Sequence, residues 1–329
     1  MEEVKEKGKV CLTGGSGYLG SWMVTRLLQV GYSVNTTIRS HPDCKKDVSY
    51  LTNLPGAQER LHIFNADLAR PESFKAAIEG CIGVFHVAHP MELENKESEE
   101  MITQRSIDSI IGILQACIES KTVKRVVYTS SAATVAGGSS NIIDENSWTD
   151  VDLIRTLKPF ASSYTISKTL TEKAALEFAE LYGIDLVTLI PTWIHGPFIT
   201  PQIPGSVRSS MEMILGHQNN SMSYPPIVPF VHVDDVTNAH IFLLENPNAK
   251  GRYICSAVEI TREKLAEFLS TRYPEYRKQI NEYTGSSVEQ PKHTSLSSKK
   301  LLEIGFKYKY GLEEMFDGAI ECCKQKGIL

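Results

Sequence analysis

The chain has 329 residues, of which 42% are hydrophobic and 22% are charged, and its formal net charge is −5 at pH 7. This composition is typical of a folded globular protein, and without a basic run it argues against nucleic acid as a partner. Residues 1–9 contain no apolar stretch, so we expect neither a secretory signal nor a membrane anchor, and a cytoplasmic protein. Seven scattered cysteines without a C-x-x-C pair predict reduced thiols and no metal site.

Short apolar runs and helical segments alternate along the first 190 residues. Strands are predicted over residues 9–13, 33–39, 61–64, 84–88, 125–130 and 186–190. Helices are predicted between them, over residues 18–30, 72–79, 101–119 and 162–182. Strands that alternate with helices predict an α/β fold with a doubly wound parallel sheet, in which ligands bind near the carboxyl ends of the strands.

The first predicted strand ends in a glycine-rich turn, with glycines at positions 14, 17 and 20. Glycine lets the backbone turn tightly and come close to a pyrophosphate. The helix that follows presents free N–H groups and the positive end of its dipole to the same anion. The position of this turn between the first strand and the first helix predicts dinucleotide binding.

Arg39 stands at the end of the second predicted strand, where a carboxylate would bind the ribose hydroxyls of NAD. A guanidinium at this position matches the charge and geometry of the 2′-phosphate of NADP, so the sequence predicts NADP(H). Asp67 and Leu68, after the third strand, would flank the adenine. Val87 and Ala88, after the fourth strand, would line the cofactor channel.

Tyr164 and Lys168 lie near the start of a predicted helix, and residues four apart share one helical face. Beside a lysine ammonium and an oxidised nicotinamide, the pKa of a tyrosine falls from its ordinary value of about 10, and the phenol can exchange a proton near neutral pH. Upstream, the fifth strand ends at Thr129, Ser130 and Ser131. A hydroxyl at this edge could hydrogen-bond a carbonyl oxygen that becomes an alkoxide during hydride transfer.

These motifs resemble the extended short-chain dehydrogenase/reductase family, whose fold is a Rossmann sheet with a smaller C-terminal substrate lobe. Further segments resemble its dihydroflavonol 4-reductase group, and above all the vestitone-reductase-like branch: NTTIR at 35–39, NADL at 65–68, GVFHVA at 83–88, YTSS at 128–131, GPF at 196–198, VHVDDV at 231–236 and GRYIC at 251–255. The resemblance implies an NADPH-dependent reductase that acts on a ketone or lactol of a flavonoid, an isoflavonoid or a related polycyclic plant metabolite.

The resemblance also implies roles for single residues. Tyr164 would donate the proton, Lys168 would bind the nicotinamide ribose and lower the pKa of the tyrosine, and Ser131 would polarise the carbonyl. Ser130 is the less suited of the two serines. Contacts with the cofactor are implied for Gly14, Gly17, Tyr18, Leu19, Gly20, Arg39, Lys46, Asp67, Leu68, Val87, Ala88, Tyr164, Lys168, Pro191 and Ser206.

Four positions depart from the pattern of the group and are candidates for the substrate pocket. Ala136 stands five residues beyond the catalytic serine, where dihydroflavonol reductases carry the Asn or Asp that binds catechol hydroxyls. This substitution argues against a dihydroflavonol as substrate. His89, Trp193 and His195 could line a pocket for a different polycyclic ligand, with packing of a loop side chain as the alternative for Trp193 and His195.

The sequence divides into residues 1–190, the NADP-binding domain, and residues 191–329, which mainly form the substrate lobe, while residues 232–246 return to the first domain. Seven prolines between 191 and 230 predict loops and short helices there. Helices are predicted over residues 234–245, 261–273 and 312–326. Since no helix has an additional wide apolar face, we expect a monomer or a weak dimer.

Three alternative functions stay open on the sequence. An NAD(P)-dependent dehydrogenase that oxidises a lactol or alcohol of an alkaloid, as in noscapine-synthase-like relatives, would use the same residues. A nucleotide-sugar epimerase or dehydratase would retain NAD, and Arg39 weighs against it. A non-catalytic NADP-binding protein would have no need of Ser131, Tyr164 and Lys168 together.

Overall fold

The computed structural model describes residues 6–39, 47–90, 97–136, 142–216, 226–283 and 295–329. Within these ranges the chain forms three sheets with helices around them. The strands are β1 (Gly8–Thr13), β2 (Tyr32–Ile38), β3 (Leu61–Asn65), β4 (Gly83–His86), β5 (Arg125–Thr129), β6 (Ile142–Ile143), β7 (Leu186–Pro191), β8 (Trp193–His195), β9 (Ile227–His232), β10 (Gly251–Cys255), β11 (Val258–Thr261) and β12 (Ser295–Leu296).

The helices flank these strands, and short 3₁₀ turns cover Pro71–Phe74, Ala132–Thr134 and Pro274–Tyr276. The helices are α1 (Tyr18–Gln29), α2 (Ser49–Thr52), α3 (Ala57–Arg60), α4 (Lys75–Ile78), α5 (Glu99–Ser120), α6 (Val151–Leu157), α7 (Ser162–Tyr182), α8 (Gly205–Ser210), α9 (Glu212–Leu215), α10 (Val233–Glu245), α11 (Arg262–Arg272), α12 (Arg277–Tyr283), α13 (Lys299–Glu303) and α14 (Leu312–Gln325). Within the described ranges, no helix is both long and apolar enough to span a bilayer.

The large sheet has seven strands along the described chain, paired in parallel in the order β10-β7-β5-β4-β1-β2-β3. Its order reverses between β1 and β4, so a crevice opens there over the carboxyl ends of the strands. This topology confirms the predicted doubly wound α/β fold. All residues of β4, β5 and β7 are buried, as expected for central parallel strands covered on both faces.

The helix that carries the predicted proton donor begins and ends as the sequence predicts. α7 spans Ser162–Tyr182, and Gly183 caps its carboxyl end in the left-handed region with φ of 70°. At its other end Ala161 also has a positive φ, 57°, which turns the chain sharply into the helix. α7 packs along α5, and their contact includes a 3.1 Å hydrogen bond between Ser167 and Ser106. This packing fixes the first turn of α7 over the carboxyl edge of β5.

A second hydrophobic core lies in the C-terminal part of the chain. It is built around Phe198, Phe230, Leu265 and Phe316. A three-stranded sheet, in the order β11-β9-β8, forms part of its wall. Where only loops and short helices were predicted, the structure therefore has β8 and β9, because pairing between the two strands overrides the local signal of the prolines.

Two C-terminal segments return to the large sheet. α10 packs against α1, where Asp234 accepts hydrogen bonds from Trp22 (2.8 Å) and from Arg26 (2.5 Å). β10 joins the edge of the sheet beside β7. The sequence indicated the return of α10 but not that of β10. The division into a cofactor domain and a substrate lobe stays a prediction.

Candidate active site

The glycine-rich turn after β1 is shaped by backbone contacts that leave no room for side chains. Gly14 has φ of 77°, and its carbonyl oxygen accepts a 3.0 Å hydrogen bond from the N–H of Gly17. A Cβ atom on Gly20 would lie 2.2 Å from the same oxygen. α1 begins directly after Gly17 and has no acidic residue in its first turn. The N–H groups and positive dipole end of α1 are therefore free of a competing carboxylate.

The hydroxyl of Thr13 joins the carboxyl ends of β1 and β4. It accepts hydrogen bonds from the backbone N–H groups of Val87 and Ala88, both at 3.0 Å, and lies 2.9 Å from Nδ1 of His86. Ala88 also lies against the turn, since a Cβ atom on Gly14 would be 3.1 Å from the Cβ of Ala88. The predicted phosphate turn and the predicted wall of the cofactor channel are thus adjacent.

The predicted cofactor residues after β2 and β3 that the structure describes lie at the same edge of the sheet. Arg39 follows β2 and is exposed, and Lys46 lies outside the described residues. Asp67 is half-buried after β3, and one of its carboxylate oxygens accepts a 3.1 Å hydrogen bond from the N–H of Ala69. Leu68 lines an open groove of about 380 Å³ between this loop and the start of α5.

Ser131 follows β5 and begins a 3₁₀ turn. Its hydroxyl oxygen accepts a 3.2 Å hydrogen bond from the N–H of Ala133, and its side chain is hydrogen-bonded to Tyr164. The neighbouring Ser130 is buried and donates a 2.6 Å hydrogen bond to Glu172. Because Ser130 is already engaged inside the protein, Ser131 is the serine that faces the tyrosine, as the resemblance implied.

Tyr164 lies in the first turn of α7 and is half-buried, with its ring edge-on to that of His89 at 5.7 Å between centroids. Burial raises the pKa of Tyr164 above its ordinary value, and the hydrogen bond with Ser131 opposes this shift. The expected lowering of this pKa by Lys168 is therefore not produced by the protein's own residues, since desolvation of the phenolate dominates. The phenol is protonated at neutral pH and is ready to donate.

Lys168 is buried below the tyrosine, one turn further along α7. Its ammonium donates a 2.8 Å hydrogen bond to the carbonyl oxygen of Thr129 and lies 3.5 Å from the hydroxyl of Tyr128. Burial lowers the pKa of Lys168 to about 7, and the charge of Glu172 opposes this shift. Within the protein alone, burial thus disfavours the charged form of the lysine.

Glu172 is a site residue that the sequence analysis missed. It is fully buried, and its two carboxylate oxygens accept hydrogen bonds from Ser130, from Thr188 (2.8 Å) and from Arg252 (2.9 Å). A signal was available, because Glu172 follows Lys168 by four positions on the same face of the predicted helix. Its partner Arg252, on β10, could not be predicted, because the sequence gives no sign that this strand joins the large sheet.

Comparisons with known proteins agree with this geometry. The profile of the NAD dependent epimerase/dehydratase family matches residues 10–255. The chain belongs to this family. It is 50% identical to vestitone reductase of Medicago sativa over 98% of this chain and 99% of that protein. It is 46% identical to a dihydroflavonol 4-reductase of Callistephus chinensis, over 97% of this chain and 87% of that protein.

Two further similarities, one to a protein sequence and one to a crystal structure, cover nearly the full length of the matched protein. The chain is 45% identical to noscapine synthase SDR1 of Papaver somniferum, over 100% of this chain and 96% of that protein. The crystal structure of vestitone reductase from alfalfa superimposes with a TM-score of 0.86 at 49% identity, over 98% of this chain and 100% of that chain. The predicted family, the Rossmann fold and an enzyme of the oxidoreductase class are thereby confirmed.

The glycine turn fits the nicotinamide dinucleotide that gives the family its description. The turn is a cradle in which a Cβ atom on Gly20 would collide with the backbone of Gly14, so the chain can approach a pyrophosphate closely. Tyr18, the first residue of α1, donates a 3.1 Å hydrogen bond to the carbonyl oxygen of Gly196. Leu19 is buried behind it and anchors the helix in the core.

Pro191 and Ser206, the two C-terminal cofactor candidates, lie on different elements. Pro191 is the buried last residue of β7, at the same edge of the sheet as Ser131. Ser206 lies in α8, and its carbonyl oxygen accepts a 3.1 Å hydrogen bond from the indole N–H of Trp193. The half-buried Trp193 is thereby held with its ring tilted against Phe230.

The pocket candidates differ in what they can reach. His89 adjoins Tyr164, and its Nε2 atom is buried without a hydrogen-bond partner among the described residues. Ala136 is exposed at the end of the turn that Ser131 begins. For His195 the structure favours the packing alternative, because the residue is fully buried, with its ring 4.3 Å from that of Phe316. It packs in the second core and does not line an open pocket.

Proposed function

We propose that the chain is an NADPH-dependent carbonyl reductase that acts on a ketone or lactol of a polycyclic plant metabolite of the flavonoid or isoflavonoid type. The observation that carries the proposal is the side-chain hydrogen bond between Ser131 and Tyr164, with Lys168 below them on the same helix. These groups lie at the carboxyl edge of the sheet, where the glycine turn also lies. The likeness to vestitone reductase and to dihydroflavonol 4-reductase supports the substrate class.

The residues of the chain divide the work around one carbonyl group. NADPH, when bound beside these residues, would supply the hydride that reduces the carbonyl carbon. Ser131 donates a hydrogen bond to the carbonyl oxygen, which stabilises the negative charge that develops there. Tyr164 then transfers its phenolic proton to that oxygen, and the raised pKa of the free phenol keeps this proton in place until it is needed. The ammonium of Lys168 stabilises the phenolate that is left.

NADPH is proposed over NADH because of Arg39. The residue is exposed directly after β2, at the strand end where the ribose of a dinucleotide lies in Rossmann folds. A guanidinium binds a phosphate through two parallel hydrogen bonds, and the 2′-phosphate is present in NADP(H) alone. The interaction therefore discriminates between the two cofactors.

The substrate pocket is proposed to receive an apolar ring system with few hydroxyl groups beyond the reacting one. Ala136 offers a methyl group where a dihydroflavonol reductase would offer a polar side chain. Trp193 offers an aromatic face, because its indole N–H is engaged with Ser206. His89, whose ring lies edge-on to that of Tyr164, offers an imidazole beside the proposed proton donor.

The test is turnover by the purified full-length chain of a panel that contains an isoflavanone, a flavanone, a cyclic lactol and a small ketone, followed by the absorbance of the reduced nicotinamide. Tyr164→Phe should lower kcat by roughly 10²–10⁴-fold and leave the Kd for NADPH within about threefold. Tyr182→Phe, an exposed tyrosine at the other end of α7, is the control and should keep full activity. Near-normal turnover by Tyr164→Phe would refute the assigned proton donor.

The same preparation tests the cofactor. Arg39→Ala should weaken NADPH binding by roughly 10–100-fold and leave NADH binding nearly unchanged, since one charge-assisted contact is lost. Lys124→Ala removes an exposed charge before β5, at the opposite edge of the sheet, and should change neither. Equal losses for both cofactors in Arg39→Ala would contradict a 2′-phosphate site.

The panel also decides the direction of the reaction. Oxidation of the lactol with NADP, without reduction of any ketone, would assign the chain to the dehydrogenase alternative. The likeness to noscapine synthase SDR1 is the observation that favours this alternative. A monomer or weak dimer that works in the cytoplasm on a small molecule is the form we propose for the enzyme.

A further inference from the structure

A buried ion pair lies beneath the catalytic groups. Glu172 is 0% exposed and Arg252 is 7% exposed, and Nε of the arginine lies 2.9 Å from Oε1 of the glutamate. The guanidinium is itself fixed, since it donates to the carbonyl oxygens of Glu145 (2.7 Å) and Ser147 (2.8 Å) and lies 3.6 Å from the ring centroid of Trp148. The position of the glutamate is therefore set by β10 and by the loop before α6.

Both ends of the turn that carries Ser131 are bound to this pair. On one side, Ser130 donates a 2.6 Å hydrogen bond to Oε2 of Glu172. On the other side, Arg252 donates a 3.2 Å hydrogen bond to the hydroxyl of Thr134. The backbone N–H of Thr134 donates a 2.9 Å hydrogen bond to the carbonyl oxygen of Ser131. A shift of the pair would move the serine relative to Tyr164.

Glu172 also supplies the charge opposite to Lys168, four positions away on α7. The titratable groups around the lysine are Tyr164 and Glu172, four positions before and after it on α7, His86 at the end of β4, His89 after that strand, and Tyr128 on β5. Two arginines lie one contact further away, Arg105 near His89 and Arg252 against Glu172. Burial raises the pKa of both tyrosines and lowers the pKa of both histidines, so these four are neutral at pH 7. Within this described group, Glu172 provides the negative charge.

We propose that Glu172, held in place by Arg252, is a positioning residue that fixes Ser131 through Ser130 and supplies the counter-charge of Lys168. This inference rests on the proposed function only where it assigns catalytic roles to Ser131 and Lys168. Stability alone does not account for the pair, because a buried ion pair can usually be replaced by apolar side chains of similar volume without loss. Its value lies in a fixed negative charge one helical turn below the lysine.

The first test measures the titration of Lys168 in the full-length chain without ligand. NMR of ε-¹³C-labelled lysine gives its midpoint, and Lys168→Met assigns the signal. Glu172→Gln keeps the shape and the hydrogen-bond acceptor but removes the charge, so the midpoint should fall by about one pH unit. A folded variant whose midpoint stays within about 0.3 units of the wild-type value would overturn the counter-charge.

Glu172→Gln leaves Arg252 buried without a charged partner and can lose too much stability to be measured. In that case the same titration is run on Glu172→Gln in sucrose, which favours the folded state and leaves Arg252 in place, with the same two outcomes. Arg125→Met is the matched control. Arg125 is also a buried arginine, on the amino end of β5, where it binds Asp185 and the carbonyl oxygen of Leu243. Its loss should reduce stability without moving the Lys168 midpoint.

The second test concerns the position of Ser131. Ser130→Ala removes the hydrogen bond to Glu172 and keeps both charges, so kcat should fall by about tenfold while the KM for NADPH and the Lys168 midpoint stay unchanged. Ser130→Thr, which keeps the hydroxyl, should restore kcat. Full kcat in Ser130→Ala would overturn the positioning role.

The two proposals can fail separately. If no substrate of the panel is turned over, the proposed function fails, and the lysine titration still decides whether Glu172 supplies the counter-charge. If the wild-type chain is active and Tyr164→Phe is not, the function stands, and an unmoved Lys168 midpoint in folded Glu172→Gln then defeats this inference alone.

Discussion

Two buried regions of this molecule differ in whether their polar side chains are hydrogen-bonded. At the carboxyl edge of the large sheet, the carboxylate of Glu172 accepts hydrogen bonds from three side chains, one of which, Arg252, forms an ion pair with it. In the second core, His195 lies between Phe230 and Phe316, and no described residue is hydrogen-bonded to either of its ring nitrogens.

The difference shows where this chain uses buried polarity. Near Ser131 and Lys168 a charge is retained and each of its oxygens is satisfied, which gives one fixed arrangement. In the second core the only way to bury the histidine without a partner is to keep it neutral, and burial accordingly lowers the pKa of His195 to about 3. In the first region the hydrogen bonds fix the positions of the polar side chains. In the second region the unsatisfied imidazole of His195 is held by apolar packing.

The largest expected effect comes from breaking the ion pair. Arg252→Met should reduce the free energy of unfolding by about 3–5 kcal/mol, because the buried carboxylate of Glu172 loses the guanidinium that is paired with it. Urea unfolding followed by circular dichroism measures this change. Glu172→Gln/Arg252→Met should recover most of the loss, since it leaves no buried charge. If the single and double variants were equally unstable, packing of Arg252 on Trp148 would outweigh the charge, and the contrast between the two regions would disappear.

A smaller effect concerns the pH dependence of stability. His195 has a pKa of about 3 in the folded chain and an ordinary value near 6.5 when unfolded, so between these values only the unfolded chain takes up the proton. Stability must therefore fall as the pH is lowered. Between pH 7 and pH 5, His195→Leu should lose about 2 kcal/mol less than the wild-type chain in urea titrations. Equal losses would mean that His195 is paired or hydrated in solution.

The smallest effect is the change that the same substitution makes at pH 7. His195→Leu removes two unsatisfied nitrogens and should stabilise the chain by about 1 kcal/mol. His240→Leu is the matched control, because its ring nitrogens contact the hydroxyl of Thr129 (2.7 Å) and the carbonyl oxygen of Val236 (2.8 Å). This control should lose about 1–3 kcal/mol. Destabilisation by both variants would show that the shape of the imidazole, not its polarity, decides the packing around Phe316.

Much of the fold could be predicted because parallel strands leave a strong local signal. The predicted helix over 162–182 agrees with α7 at both ends, and the six predicted strands agree with β1 to β5 and β7 within about two residues. β8 was missed because a strand of three residues carries little local signal. β9 was missed because it contains Pro229, which argues against a strand. β10 was missed as a member of the large sheet, since its neighbour β7 lies about 60 residues away in the sequence.

The candidate site could be predicted only as far as local spacing reaches. The four-residue spacing of Tyr164 and Lys168 and the three glycines indicated the chemistry and the cofactor. The predicted lowering of the tyrosine pKa beside Lys168 and an oxidised nicotinamide stays a prediction. The residues of the chain alone raise this pKa, because burial of the phenol outweighs its hydrogen bond with Ser131. For His195 the sequence left a pocket role and packing open, because it does not reveal that Phe230 and Phe316 enclose this residue.

The sequence by itself determined the doubly wound sheet, the glycine turn, the pairing of Tyr164 with Lys168 and the family to which these belong, because each depends on residues that are close together in the chain. Only the tertiary structure showed that Ser130 is engaged with Glu172, that Glu172 meets Arg252 and that His195 is enclosed. These contacts join residues far apart in the sequence, and burial and charge act through distances in space that no local pattern records.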